Sequence, residues 1–252
     1  MDTFLIVIIC FCGVLFALGP VVLIGTSKRF KKLSQKYSAL PLESNATGAE
    51  FVDKFLNESG AQNVNVKAVA YENDNAYSPK NETIYLSIFT LSNSSVYSSA
   101  VCAHEIGHAK MHQNGMRIVG FWYTFGILDK WICKLILPLF CIGLIFSIFG
   151  GWANILGDLL LKISFLFTLI SLFFRIFSIR NEEHASAIAM QDLKNSELLN
   201  EHELRQAQRL LNYALGTYFV EFYERLFYNV ITVKKLVSKL FKQNKDKKEK
   251  KC

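Results

Sequence analysis

The sequence lacks the cysteine spacings that are typical of zinc fingers, redox pairs and disulfide frameworks, although it contains 6 cysteines. Four of them lie in apolar runs, where a thiol behaves as a small hydrophobic side chain: Cys10, Cys12, Cys133 and Cys141. Cys102 lies two residues before a histidine, but helix residues two apart point in different directions. These patterns favour neither a disulfide-stabilised fold nor a cysteine nucleophile.

Aromatic residues are absent between Lys242 and Lys251, in the lysine-rich end of the chain. Proteins that bind single-stranded nucleic acid commonly combine basic residues with aromatic stacking platforms, so we expect no nucleic-acid partner. The formal net charge is +7. We interpret residues 242–252 as a solvated basic tail, which anionic lipid headgroups could attract by about 1 kcal/mol per lysine.

Charge is also absent from the first of three long apolar runs, Phe4–Ile24. About twenty helical residues span the hydrocarbon core of a bilayer, so residues 1–26 are predicted to form an uncleaved membrane anchor. Basic residues follow this run at positions 28, 29, 31, 32 and 36. By the positive-inside rule, its carboxyl end is expected in the cytoplasm.

The other two apolar runs, Cys133–Gly151 and Leu159–Phe177, are long enough to form a transmembrane helical hairpin. Lysines precede the first run and arginines end the second, which indicates that both outer ends are cytoplasmic. The shorter apolar segment 118–128 is predicted to lie in the membrane interface. Residues 118–180 therefore form the predicted interfacial and hairpin region.

Residues 181–241 are predicted to contain a further helix and a long final helix at about Leu204–Leu240. Glu221, Glu224 and Arg225 interrupt the apolar stripe of this final helix. Charges in a bilayer cost a few kcal/mol each unless they are paired. We therefore favour an amphipathic helix packed on the others or on the membrane, with a fourth span as the alternative.

Residues 27–117 have the patterns of a small α+β segment. The sequence TGAE at 47–50 is a capping box that begins a helix. Alternating apolar residues predict strands from Val64 and at 82–89. Polar residues 92–95 are candidate N-caps for a helix that runs to about Gln113. The predicted fold class is a mostly α membrane protein with a small zincin-like α+β segment.

The sequence HEIGH at 104–108 lies on this last predicted helix. His104 and His108 are four residues apart, so both imidazoles project from one face and can share a zinc ion. Glu105 is placed to act on water rather than on the metal. With 5 histidines in the chain, an accidental motif has a chance of roughly one in a hundred. A pair of surface histidines is the alternative.

Zinc in a catalytic site needs a third protein ligand. The best candidate lies in NEEHAS at 181–186, where Glu182 and Glu183 follow the hairpin. An acidic helix cap is the alternative interpretation of these glutamates. Two membrane crossings return this segment to the side of the HEIGH helix, which favours a metal role. His112 lies one turn beyond the motif and is expected to be a polar residue near the helix end.

Several segments resemble the YugP-type neutral zinc metallopeptidases, a family of bacterial membrane proteins. They are AHEIGHA at 103–109, NEEHAS at 181–186, TGAEFVDKFL at 47–56 and YSPKNETIYLS at 77–87. The architecture is also similar to that of other HExxH membrane zinc proteases, including prenyl-protein peptidases and the bacterial heat-shock membrane protease. The resemblance covers nearly the whole chain.

The resemblance implies that His104, His108 and Glu182 bind one Zn²⁺ and that Glu105 is the catalytic base. Glu182 is chosen over Glu183 because it matches the E-x-x-A pattern that ends at Ala185. More distant proteases have aspartate where this chain has Ser186, so support for a liganding histidine would be weaker or come from elsewhere. His184, next to the third ligand, is expected to be solvated rather than to bind an oxyanion.

The expected function is a multi-pass, membrane-anchored zinc endopeptidase of the gluzincin type, with its catalytic site on the cytoplasmic side of a bacterial cell membrane. Its partners would be the lipid bilayer and a peptide or membrane-protein substrate. The predicted strand at 82–89 could pair with an extended substrate by strand addition. The alternative is a non-catalytic membrane scaffold whose zinc site is structural or lapsed.

Overall fold

The computed structural model describes residues 3–59, 63–71, 75–114, 118–149, 151–230 and 232. Helices make up most of these residues, together with one small sheet, as the sequence predicts. The elements in chain order are α1 (Thr3–Ser38), α2 (Gly48–Ser59), β1 (Asn65–Val69), β2 (Ala76–Ser78), β3 (Thr83–Ser87), α3 (Ile88–Ser92), α4 (Val96–Gln113), α5 (Ile118–Ile148), α6 (Trp152–Asn195) and α7 (Glu201–Leu226).

The chain forms two compact units. The helical unit comprises Met1–Ile24, Leu128–Phe173 and Phe219–Cys252, and the mixed unit comprises Gly25–Ile127 and Phe174–Tyr218. Within the described residues, three helical segments are long and apolar enough to cross a membrane: Leu5–Ser38, Phe125–Ile148 and Trp152–Asn195. Each of these segments overlaps one of the three apolar runs of the sequence.

Helix α1 continues from the apolar run through the basic residues that follow it and ends at Ser38. It is therefore longer than the predicted anchor. Lysine, arginine and glutamine are good helix formers, so nothing in this stretch stops the helix. Pro41 disfavours helical backbone in the residue before it, which is consistent with an end shortly upstream.

Residues 118–128 were predicted to form a separate element. They are instead the first part of α5. The prediction separated this segment because it is too short to span a membrane alone. Helix α5 instead runs on through Asp129. In the helical unit this side chain is buried, and its carboxylate accepts a hydrogen bond of 2.5 Å from Ser171. It also pairs with Arg225 of α7 at 3.0 Å. A buried charge with partners does not require the helix to end.

Helix α7 begins at Glu201 and ends at Leu226, so it starts slightly earlier than predicted. Asn200 and Glu203 form a reciprocal capping box at its start, with both hydrogen bonds at 2.9 Å. Of the charges that interrupt its stripe, Arg225 pairs with both Asp129 and Glu221. The predicted continuation beyond residue 232 lies outside the described residues.

The sheet of the mixed unit has the order β1-β3-β2. Strand β1 pairs with β3 in parallel, from Asn65↔Thr83 to Val69↔Ser87, and β2 pairs with β3 antiparallel. The predicted strand at 82–89 is thus β3, the central strand, whereas the three-residue β2 was not predicted. The expectation that β3 adds a substrate strand is wrong, because both of its edges are occupied.

The core of the mixed unit holds α4 against α2 and the sheet. Its largest fully buried side chains include Phe51 and Phe55 of α2, Ile84 and Leu86 of β3, and Ile106 of α4. The Ser95 side chain accepts from the amide of Ser98 and caps α4, as predicted. The HEIGH sequence therefore lies on a helix that is packed and capped at its start.

Candidate metal centre

Helices α4 and α6 pack closely at Gly107, the glycine of HEIGH. A Cβ atom added to Gly107 would lie 2.5 Å from the carbonyl oxygen of Ala185, so a larger residue does not fit without movement. A second contact joins the same helices, since the Lys110 ammonium pairs with Asp192 at 2.7 Å. The close packing brings the HEIGH face of α4 to the NEEHAS segment of α6.

Three ligand-type atoms meet where these helices pack. The Glu182 Oε2 atom lies 3.0 Å from His104 Nε2 and 3.2 Å from His108 Nε2. The two Nε2 atoms are 3.2 Å apart. His104, His108 and Glu182 therefore form the cluster that the sequence predicted, and all three side chains are mostly buried.

The donor set of this cluster fits zinc. A tetrahedral zinc ion with bonds of about 2.0–2.2 Å separates neighbouring ligand atoms by about 3.3 Å, close to the distances in the cluster. Two imidazole nitrogens and a carboxylate oxygen at this separation repel one another unless a proton or a cation lies between them. Two histidines and one glutamate are also the ligands of known catalytic zinc sites.

Ser186 supports one of the two histidines. Its hydroxyl oxygen lies 3.2 Å from His104 Nδ1, one turn along α6 from Glu182. If Nδ1 is protonated, it donates a hydrogen bond to the Ser186 hydroxyl oxygen, and Nε2 keeps a lone pair for a metal. Ser186 is therefore the side chain that contacts the far nitrogen of the His104 ring.

Burial lowers the pKa of His108, but the charge of Glu182 and its hydrogen bond to the ring outweigh this effect. The net result is a pKa above the ordinary imidazole value. A proton on His108 therefore competes with any metal for the same nitrogen.

Glu105 lies beside the cluster without belonging to it. Its side chain is mostly buried, and together with His104 and Glu182 it lines a cavity of about 680 Å³ in the mixed unit. A carboxylate in this place can exchange a proton with a molecule bound in the cavity. The role of Glu105 as the catalytic base stays a prediction.

The structure separates the remaining candidate residues from the cluster. His112 Nδ1 lies 2.8 Å from the hydroxyl of Tyr77 on β2. Burial, and to a lesser extent the charge of Glu82, raises the pKa of Tyr77 to about 12, so this hydroxyl can donate to the ring. His112 therefore fixes β2 to the end of α4 rather than binding the metal.

Glu183 and His184 are exposed, and Glu183 pairs with Arg180 on the surface at 3.5 Å. Cys102 is fully buried, and burial, together with the charge of Glu105, raises the pKa of its thiol. A protonated, buried thiol is a poor nucleophile, which agrees with the sequence interpretation.

The sequence interpretation missed most of the cavity wall. Helix α1 contributes residues between Phe30 and Ser38, and α7 contributes residues between Leu210 and Tyr218. The stripe on α7 was visible in the sequence, but it was assigned to packing. The α1 residues gave no signal because they lie among the basic residues after the anchor.

Residues 12–235 match the family described as "Putative neutral zinc metallopeptidase". The chain belongs to this family. It is also similar to "Putative membrane protease YugP" of Bacillus subtilis (strain 168), with 27% identity over 209 residues that cover 81% of this chain and 88% of that protein. No solved structure matches the chain. The range that matches the neutral zinc metallopeptidases contains His104, Glu105, His108 and Glu182.

Proposed function

We propose that the protein is a membrane-anchored, zinc-dependent endopeptidase. The observation that carries the proposal is the cluster of His104, His108 and Glu182 at one cavity with Glu105. Helices far apart in the sequence supply these side chains, and their ligand atoms lie at zinc-ligand separations. The relative described as a membrane protease and the three apolar helices support a multi-pass protein of a bacterial cell membrane.

His104, His108 and Glu182 would hold one zinc ion, which in such sites polarises a carbonyl group and lowers the pKa of water. Glu105 would accept a proton from the attacking water and donate it to the leaving amine. Ser186 would keep the His104 ring in the orientation and tautomer that binding requires. The cavity would hold the peptide next to Glu105 and limit the entry of bulk water.

We further propose that the site lies on the cytoplasmic side of the membrane. Basic residues follow the apolar run of α1, and Arg175 and Arg180 mark the end of the apolar run of α6. The proposed metal ligand Glu182 lies two residues after Arg180. Single cysteines introduced at Lys36 and Arg180 should react with a membrane-impermeant maleimide only after the cell membrane has been permeabilised, so that the reagent reaches its inner face. Labelling of either residue in intact cells would contradict this orientation.

Metal content and peptide cleavage test the enzyme directly. The full-length protein in detergent or nanodiscs should contain one zinc per chain and cleave peptides from a mixed library. Glu105→Gln should keep the zinc and abolish cleavage, because it removes the proton acceptor but no ligand. Glu182→Gln should lose both.

Glu183→Gln is the matched control, since it makes the same change at the neighbouring exposed carboxylate. It should leave zinc content and cleavage unchanged. A protein that binds one zinc but cleaves neither peptides nor membrane proteins would support the alternative of a non-catalytic scaffold.

A further inference from the structure

The cavity next to Glu105 has three helical walls of equal length. The lining residues run from Phe30 to Ser38 on α1, from Tyr97 to Glu105 on α4 and from Leu210 to Tyr218 on α7. Each wall covers eight residue steps, or about 12 Å of helix. An extended peptide rises about 3.3 Å per residue, so the cavity has room for three to four residues.

The cavity extends to one side of the candidate metal centre. On α4 its lining consists of Tyr97, Val101, His104 and Glu105, and His108 is not part of it. The cavity therefore runs from the metal ligands toward the start of α4. A peptide held there would place residues from one side of its scissile bond between the three helices.

On α4 and α7 the middle of the wall carries a smaller side chain than either end, and on α1 Ser34 lies between Phe30 and Ser38. Ser34, Val101 and Ala214 lie halfway along these three walls, four positions from each end. Phe30, Tyr97, Leu210 and Tyr218 are among the residues at the ends. Four helix positions correspond to about 6 Å, or about two residues of an extended peptide from the level of Glu105.

We propose that the cavity selects peptides with a large apolar side chain about two residues from the scissile bond, on one side of it. This side chain would occupy the space between Ser34, Val101 and Ala214. A leucine or phenylalanine would fill such a space and cover apolar side chains of its lining, which include Val101, Leu210 and Ala214. The proposal rests on the proposed peptidase function of the same site.

Ala214 has the smallest side chain of these three lining residues, so a larger side chain at this position would take up part of the cavity. Ala214→Phe should fill the space, and Ala214→Leu should fill it in part. Asn212→Phe is the matched control, because it adds the same ring to an exposed position of α7. Equal zinc content in all variants would show that the metal centre is intact.

The experiment uses the zinc-loaded, full-length protein in nanodiscs and a mixed peptide library, with cleavage sites identified by mass spectrometry. A cleaved peptide is then remade with Leu, Phe, Ala or Asp two residues from the cut, on either side. We expect Leu and Phe to be cleaved about tenfold faster than Ala on one side only. Ala214→Phe should abolish this preference, Ala214→Leu should reduce it, and Asn212→Phe should retain it.

Binding provides a second measurement that does not require turnover. The Glu105→Gln protein should bind a fluorescent Leu peptide about tenfold more tightly than the Ala peptide, as measured by anisotropy, and adding Ala214→Phe should remove the difference. The inference is overturned if peptides are cleaved without an apolar preference on one side of the cut, or if Ala214→Phe leaves that preference intact. The peptidase function stands in both cases. If the protein binds the Leu peptide more tightly than the Ala peptide, and Ala214→Phe removes this difference, but no peptide is cleaved, the peptidase function is overturned. The assignment of the cavity as a peptide-binding site then stands.

Discussion

Substitution of Gly107 tests whether the packing of α4 against α6 builds the metal centre. The added Cβ of Gly107→Ala would lie 2.5 Å from the Ala185 carbonyl oxygen, whereas ordinary contacts begin at 3.4 Å. The two helices must therefore separate or slide by about 0.9 Å. Metal sites tolerate about 0.2 Å of error in their ligand distances, so Glu182 would leave the reach of the histidines.

We expect Gly107→Ala to weaken zinc binding by about 100-fold or more, which is about 2.7 kcal/mol. Overpacking should also destabilise the protein by about 1–3 kcal/mol, despite a gain of about 1 kcal/mol in helix propensity. Competition with a chromophoric chelator measures the affinity in detergent. Thermal unfolding with and without zinc measures the stability, and the stabilisation by zinc should disappear.

Gly126→Ala is the matched control, because it makes the same change in helix α5 at a position with nothing within 4 Å of the added Cβ. It should keep wild-type zinc affinity and be equally or slightly more stable. If Gly107→Ala binds zinc as tightly as the wild type, the close packing is not what positions Glu182, and the reasoning fails.

Three further predictions concern other contacts. Ser186→Ala should weaken zinc binding about 10–100-fold by releasing the His104 ring, and Ser186→Asp should restore it; equal affinities in a chelator competition would contradict this role. On acidification, zinc affinity should begin to fall at a pH above the ordinary imidazole pKa of about 6.5, because the pKa of His108 is raised and a proton competes with zinc for its ring nitrogen. Calorimetric titrations in buffers of low and high ionisation enthalpy should detect a proton released on zinc binding, and the absence of this proton would refute the competition between proton and zinc. Arg225→Met should lower the free energy of unfolding in detergent by about 3–5 kcal/mol, because it leaves Asp129 buried without its cation, and adding Asp129→Asn should recover most of the loss. An unchanged melting temperature of Arg225→Met would show that the Asp129–Arg225 pair is not stabilising.

The candidate metal centre could be predicted because its signals are local and its topology is simple. The histidine spacing needs only a helix, which Ser95 caps where the polar residues suggested. Glu182 was predicted because two expected membrane crossings would return the chain to the side of the HEIGH helix. The family match does not test these residues individually, and their roles remain predictions.

The errors arose where distant residues decide the local structure. Residues 118–128 were predicted to form a separate element because of their short length, whereas the helix continues through Asp129, which Ser171 and Arg225 contact from far along the chain. The strand at 82–89 was a correct prediction, but its central place depends on β2, which is too short to show an alternating pattern. The cavity walls from α1 and α7 likewise depend on tertiary packing, which no local pattern records.

Helix α6 carries both an apolar segment of membrane-spanning length and the third candidate ligand, without a break between Trp152 and Asn195. A fragment made from residues 27–117 would retain HEIGH but only two of the three candidate zinc ligands. Such a fragment should hold zinc poorly, however well it folds. Purification and inhibitor screening will therefore need the intact chain in a lipid or detergent environment.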